Sequence, residues 1–326
     1  MKIQRYLILI LTFFSAFLSG CATISIPKYY SVELKNAGIK FYILNGEINP
    51  NRTYPVLMSL AGSEVSSQVW KKEGTFGIKL GANLALKHLG YFNFDYLTAI
   101  PEKRNISERY LPGNKVSEKF HETNTLEQRV KDTEAVLSYV LENYNIDKTK
   151  VVLVGSSEGG AVATIVARNN NTITHLILRS SGGWSHEDAI RYGIEHLELD
   201  KWSRDRKELQ SIDAFDKFLS KLKSTPHSLD KWWGGWPYKR WASYMFYRPM
   251  DDLRMLNIPI LIQMGDKNYH PALEGTMDVK RVFDKLGKSN LTLKIYSGLD
   301  HVFKNDEEVS HAKEIFDDMY QWLEEN

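Results

Sequence analysis

Lys150 to Gly160 reads K-V-V-L-V-G-S-S-E-G-G. Val151 to Val154 is a short apolar run rich in β-branched residues, the composition of a strand buried on both faces. It leads directly into Gly155-Ser156-Ser157-Glu158-Gly159, which fits G-x-S-x-G once, with Ser157 in the middle. Ser156 is out of frame, because Val154 stands where the first glycine is needed. The spacing suits a strained strand-to-helix turn with the serine at its tip, where side chains two positions away on either side would strike neighbouring backbone. Gly160 to Arg168 (GAVATIVAR) is small and apolar, as a helix packed closely on a sheet should be. Its N-terminus would bring backbone N–H groups beside the Ser157 hydroxyl. Taken without its flanks, the motif also reads as a flexible Gly/Ser loop.

Working outward, strand-like runs recur at Ile39–Leu44 (IKFYIL), Val56–Leu60 and Phe94–Ile100 on one side, and at Ile173–Leu178 on the other. Asn124 with Glu127 resembles a capping box. It precedes a helix whose stripe is Leu126, Val130, Leu137, Val140, Leu141 and Tyr144. Strand and helix in alternation imply a mostly parallel sheet with right-handed crossovers. Two further strands, Ile258–Met264 and Leu291–Tyr296, end in Gly265-Asp266-Lys267-Asn268 and Gly298-Leu299-Asp300-His301, and a final amphipathic helix begins near Val309. Between Leu178 and Ile258, residues 184–250 break the rhythm and hold six of the eight tryptophans, which marks an inserted cap over the strand ends. Its stretch Lys231–Trp241 (KWWGGWPYKRW) reads first as cap core and pocket wall, then as a membrane-interface contact, and last as a stacking surface for sugars or bases.

The 326 residues are 43% hydrophobic and 25% charged, enough for a large core, and a formal charge of +2 gives no reason to expect a nucleic-acid partner. Neither a metal-ligand spacing nor a phosphate-binding glycine loop is present, so no metal or cofactor is expected. Lys2 and Arg5 precede an apolar run, Tyr6–Leu18, shorter than the roughly 20 residues that span a bilayer. Leu18-Ser19-Gly20-Cys21 follows and contains the chain's only cysteine. It resembles the bacterial lipobox. Residues 1–20 are then a signal peptide, Cys21 the lipidated first mature residue, and 21–36 a tether. Ala22 after that cysteine implies the outer membrane, periplasmic side, with the lipid as membrane anchor.

Three polar residues follow buried strands in the order Ser157, Asp266, His301. A serine hydroxyl needs a base to take its proton, and an imidazole serves best when a carboxylate fixes its tautomer and stabilises the imidazolium. With the G-x-S-x-G turn and the late Asp300-His301-Val302-Phe303, this order resembles the α/β-hydrolase superfamily. Asn124–Gly183 is similar to bacterial esterase and prolyl-oligopeptidase-type catalytic domains. The resemblance implies a mostly parallel central sheet with helices on both faces and an inserted helical cap, the core being residues 37–183 and 251–326. It also implies Ser157 as nucleophile, His301 as general base, and backbone N–H donors to an oxyanion at Glu158 and at Gly62 or Ser63. Relatives often carry the acid where this chain has Asn268, so Asp266 is taken as the acid, with Asp300 and Glu274 as alternatives. The expected activity is cleavage of a carboxylic ester through an acyl-enzyme. Peptides and thioesters are the rival small-molecule or peptide substrates, and a catalytically inactive binding or scaffolding lipoprotein is the rival class.

Overall fold

A computed structural model describes residues 30–44, 48–72, 75–78, 95–106, 116–196 and 205–326. Strands β1 (Tyr30–Leu34), β2 (Ile39–Ile43), β3 (Tyr54–Leu60), β4 (Leu97–Pro101), β5 (Ile146–Ser156), β6 (His175–Arg179), β7 (Ile260–Gly265) and β8 (Leu291–Tyr296) form one sheet in the order β1-β2-β4-β3-β5-β6-β7-β8. β2 runs antiparallel to β1 and β4, and every other neighbouring pair is parallel. The helices are α1 (Glu118–Thr123), α2 (Leu126–Asn143), α3 (Glu158–Asn169), α4 (His186–Glu195), α5 (Ile212–Ser224), α6 (Tyr238–Met245), α7 (Pro249–Leu253), α8 (His270–Lys285) and α9 (Ala312–Glu325).

The apolar run in β5 follows from burial on both faces. Val151 and Leu153 pack with Val136, Leu137 and Val140 of α2 and Val162 and Val166 of α3, while Val152 and Val154 pack with Phe316, Met319, Trp322 and Leu323 of α9. A strand covered on both sides has no position at which a polar residue would reach water. β5 therefore lies in the middle of the sheet, and its C-terminal end is held rigidly.

Two local expectations change. Residues 30–34, assigned to a tether, form β1, an edge strand whose Val32 and Leu34 face inward against the core while Ser31 and Glu33 stay exposed. Five residues, two of them facing inward, give too short an alternation to stand out from a linker. Helix α2 is capped by Thr125, whose side chain accepts from Gln128 N, and Asn124 ends α1 instead. The Thr-x-x-Gln pattern one residue later supplies the better cap.

The 184–250 segment has its own apolar cluster, in which Ile190, Phe215, Phe218, Leu222, Trp233, Trp241 and Met245 meet. Trp241 Nε1 donates to Trp233 O at 2.6 Å, tying α6 to the small hairpin Trp232–Trp233 and Trp236–Pro237. Trp232 on that hairpin is 49% exposed, so the aromatic stretch divides between cap core and surface. Among the described residues no helix is long and apolar enough to cross a membrane. The signal segment and Cys21 lie outside the described residues.

Leu153→Ala is expected to lower the free energy of unfolding by about 2–5 kcal/mol, and Ile295→Ala at an exposed position by under about 0.5 kcal/mol. Urea unfolding of the two variants beside the parent chain measures the difference.

Candidate active site

At the end of β5 the chain turns through Ser157 with φ 52° and ψ −122°. Such a conformation costs a non-glycine residue about 1–3 kcal/mol and persists only where the surroundings enforce it. They do so by crowding. A Cβ on Gly155 would lie 2.5 Å from Gly159 O, and one on Gly159 would strike the carbonyls of Leu60 and Ala61. Ser157 N donates to Arg179 O at 2.8 Å, so β6 holds the turn from the other side.

His301 arrives on the loop after β8, its carbonyl accepting from Ser180 Oγ at 2.8 Å. Its Nε2 lies 3.1 Å from Ser157 Oγ, and its Nδ1 lies 3.0 Å from Asn268 Oδ1. Asn268 Oδ1 also accepts from Tyr269 N at 2.8 Å, while its Nδ2 meets Met264 Sδ at 2.7 Å. A backbone N–H can only donate, so Tyr269 fixes which end of the amide is oxygen. His301 Nδ1 must therefore carry its proton, which leaves Nε2 with a lone pair facing the serine hydroxyl. Burial holds the imidazole below its usual 6.5, against the opposing pull of Asp300 and Glu64.

The position facing Nδ1 is thus Asn268 and not Asp266. The Asp266 carboxylate is exposed and accepts from Gly298 N at 2.7 Å. The reason lies in how two loops join: Lys267 N donates to Leu299 O at 3.0 Å and Asn268 N to Gly265 O at 3.2 Å, turning residue 266 outward and residue 268 inward. The other two carboxylates are also engaged elsewhere. Asp300 Oδ1 accepts from Val302 N and Lys304 N, both at 2.9 Å, and Glu274 lies 3.5 Å from Arg281.

The loop after β3 runs against the serine, since a Cβ on Gly62 would lie 3.2 Å from Ser157 Cβ, and Ser63 borders the same cavity. Glu158 opens α3, where the first backbone N–H groups have no helical acceptor. Its side chain turns inward to a cluster that the sequence does not announce. Arg129 Nη1 donates to Glu158 Oε1 at 2.9 Å, and Arg240 Nη2 donates to Glu158 Oε2. Burial alone would raise this carboxyl, but Arg240, Arg129 and Lys103 pull it down to about 2. Arg129 also donates to Ala61 O at 2.5 Å, so the same guanidinium steadies the loop at Gly62. Farther along that loop, Ser67 Oγ and Gln68 N donate to the buried Glu102, which follows β4, and burial lifts its carboxyl to about 7. Arg129 sits within the apolar stripe of α2 and Arg240 within an aromatic run, so the signal available in sequence was a charge on a face otherwise destined for burial.

Ser157 and His301 open into a cavity of about 450 Å³ walled by Trp184, Trp236, Trp241 and Tyr244. Among the described residues no three His, Cys, Asp or Glu side chains are grouped to hold a metal ion.

An eight-stranded, mostly parallel sheet with a serine on a strained turn after β5 and a histidine after β8 defines an α/β-hydrolase. The family model named Esterase, described as "Putative esterase", matches residues 31–246, more than half of the sequence, and the chain belongs to that family. Solved structures of the same fold include the acylaminoacyl peptidase of Pyrococcus horikoshii, at 12% identity and TM-score 0.56 over 91% of this chain and 41% of that one. Dipeptidyl peptidase 4 of Porphyromonas gingivalis matches at 14% and 0.54 over 92% and 35%. A structure of fungal esterases from Rhizomucor miehei matches at 17% and 0.52 over 93% and 84%. This chain spans less than half the length of the two peptidases.

A neutral His301 is needed to accept a proton, so activity should fall as pH drops through its depressed pKa. Asn268→Asp places a carboxylate beside Nδ1 and is expected to move the acid limb of the kcat/KM profile upward by about one pH unit or more. Asp266→Asn is expected to leave that limb in place and kcat/KM within about twofold, because an amide oxygen can still accept from Gly298 N. Rate profiles of both variants against the parent chain check the assignment.

Proposed function

We propose that this chain is a serine hydrolase that cleaves carboxylic esters through an acyl-enzyme. The observation that supports the reading is the 3.1 Å approach of Ser157 Oγ to the unprotonated Nε2 of His301. In the first half-reaction Oγ forms a bond to the ester carbonyl carbon as its proton passes to Nε2. The carbonyl oxygen, now negative, is met by the N–H of Glu158 and by an N–H at Gly62 or Ser63. Collapse breaks the ester C–O bond, and the imidazolium gives its proton to the departing alcohol. Water then repeats the sequence on the acyl-serine, with His301 again first base and then acid, and releases the carboxylic acid.

Asn268 is a positioning residue in this scheme. An asparagine that turns its NH₂ to the ring imposes the wrong tautomer and costs about 10⁴-fold in turnover. Here Tyr269 N directs the oxygen to the ring, so the productive tautomer is kept while the charge is given up. The imidazolium formed during attack then has less stabilisation than a carboxylate would provide. This argues for an active enzyme of modest rate over a binding module that has lost its chemistry. Peptide cleavage is the second reading, favoured by the fold shared with the two peptidases; thioesters remain compatible with the same machinery.

The membrane address rests on residues 1–22 alone. Acylation of Cys21 would anchor the hydrolase at the outer membrane, facing the periplasm, each buried CH₂ contributing about 0.8 kcal/mol. Cys21→Ser should then release the protein from the membrane pellet.

A fluorophosphonate probe is expected to label the folded parent chain and to lose that label in Ser157→Ala, read by gel fluorescence. Absence of labelling in folded parent protein would discard the serine mechanism. Rates on matched ester, amide and thioester substrates then separate the three chemistries.

A further inference from the structure

Arg240, in the first turn of α6, is only 3% exposed, yet it borders the cavity that holds Ser157. Among the described residues its guanidinium makes one hydrogen bond, from Nη2 to Glu158, and Nε is buried with no partner. Its remaining surroundings are aromatic: the guanidinium carbon lies 4.0 Å from the ring centroid of Trp236 and 5.3 Å from that of Tyr244. Such faces attract a cation but leave its N–H groups without an oxygen to bind. Glu158 cannot make up the difference, because it is shared with Arg129. Two guanidinium groups therefore divide one carboxylate, and the one with donors left over is the one on the cavity wall. Burying a charged donor without an acceptor is costly, and buried polar groups in folded proteins are nearly always paired.

We infer that Arg240 binds a carboxylate on the acyl part of the substrate, which makes the enzyme selective for esters whose acyl chain ends in an acid group. A charged guanidinium N–H donates well to a carboxylate oxygen, and the low-dielectric aromatic wall strengthens the pairing. The indole of Trp184 lines the same cavity and offers an apolar surface to the chain between the two ends. Because Arg240 grips the side chain of the residue next to the nucleophile, the bound carboxylate would lie a short acyl chain away from the scissile carbonyl. The inference rests on the ester-cleaving reading above and assigns its substrate class.

The test compares 4-nitrophenyl hemiadipate with 4-nitrophenyl hexanoate, which have equal carbon counts and differ in the terminal carboxylate. The parent enzyme is expected to favour the hemiadipate in kcat/KM by about tenfold or more, Arg240→Gln to remove that preference, and Arg240→Lys to retain part of it. Arg240→Gln can fail to fold, since Glu158 loses a partner. Calorimetric binding of monomethyl adipate and methyl hexanoate to Ser157→Ala protein avoids both turnover and a change at residue 240. Tighter binding of the acid-bearing ester supports the site, and equal or weaker binding overturns it. Preferential binding with no turnover by the parent enzyme would keep the carboxylate site and discard the esterase reading. Brisk turnover of the hexanoate with no preference for the hemiadipate would do the reverse.

Discussion

One amide oxygen, Asn268 Oδ1, decides what the rest of this molecule can do. It receives the backbone N–H of Tyr269 and the ring N–H of His301, and by taking both it leaves the far nitrogen of the imidazole free to accept from Ser157. The oxygen has that place because the loops after β7 and β8 are joined by backbone hydrogen bonds, and because Gly265 has no side chain to hold them apart. A Cβ there would run into the carbonyl of Leu299. The arrangement does with orientation what a carboxylate would do with orientation and charge together. His301, without a charged partner at Nδ1, stays easy to keep neutral and harder to stabilise once protonated.

The serine is placed by a second, independent constraint. The middle of the sheet fixes the end of β5, the crowding of Gly155 and Gly159 forces the left-handed turn, and α3 starts at once. Glu158 then links three elements through one carboxylate: α3, on which it stands, α2 through Arg129 and the cap through Arg240. Buried ion pairs contribute little net stability after desolvation. Their effect here is geometric, since the residue following Ser157 cannot shift without moving both guanidinium groups. The cap is thereby tied to the turn on which the hydroxyl sits.

Much of this was legible in the sequence because it is encoded locally. The β-branched run before Ser157 and the two glycines around it fix strand, turn and helix within a dozen residues, and His301 stands out by following the last strand, a half-buried edge. The partner of His301 was legible only as a position, 268, because the asparagine there lacks the charge the role calls for. Residues 266 and 268 lie in one short loop, and which of them faces inward is set by Lys267 N reaching Leu299 O, a contact between residues 32 positions apart in sequence. Seeking a charge at that position led to Asp266, whereas the geometry required an acceptor. β1 was missed for a related reason, since its short alternation has meaning only beside β2. Arg240 was hidden inside a tryptophan-rich stretch, where a basic residue suggests a surface contact more readily than a buried cation.

The most direct measurement is the protonation pattern of His301 by ¹⁵N NMR of imidazole-labelled protein near neutral pH. Nδ1 should show the shift of a protonated, pyrrole-type nitrogen and Nε2 that of an unprotonated, pyridine-type nitrogen. The reverse pattern would mean that Asn268 offers its NH₂ to the ring, and that Ser157 faces a nitrogen unable to take its proton.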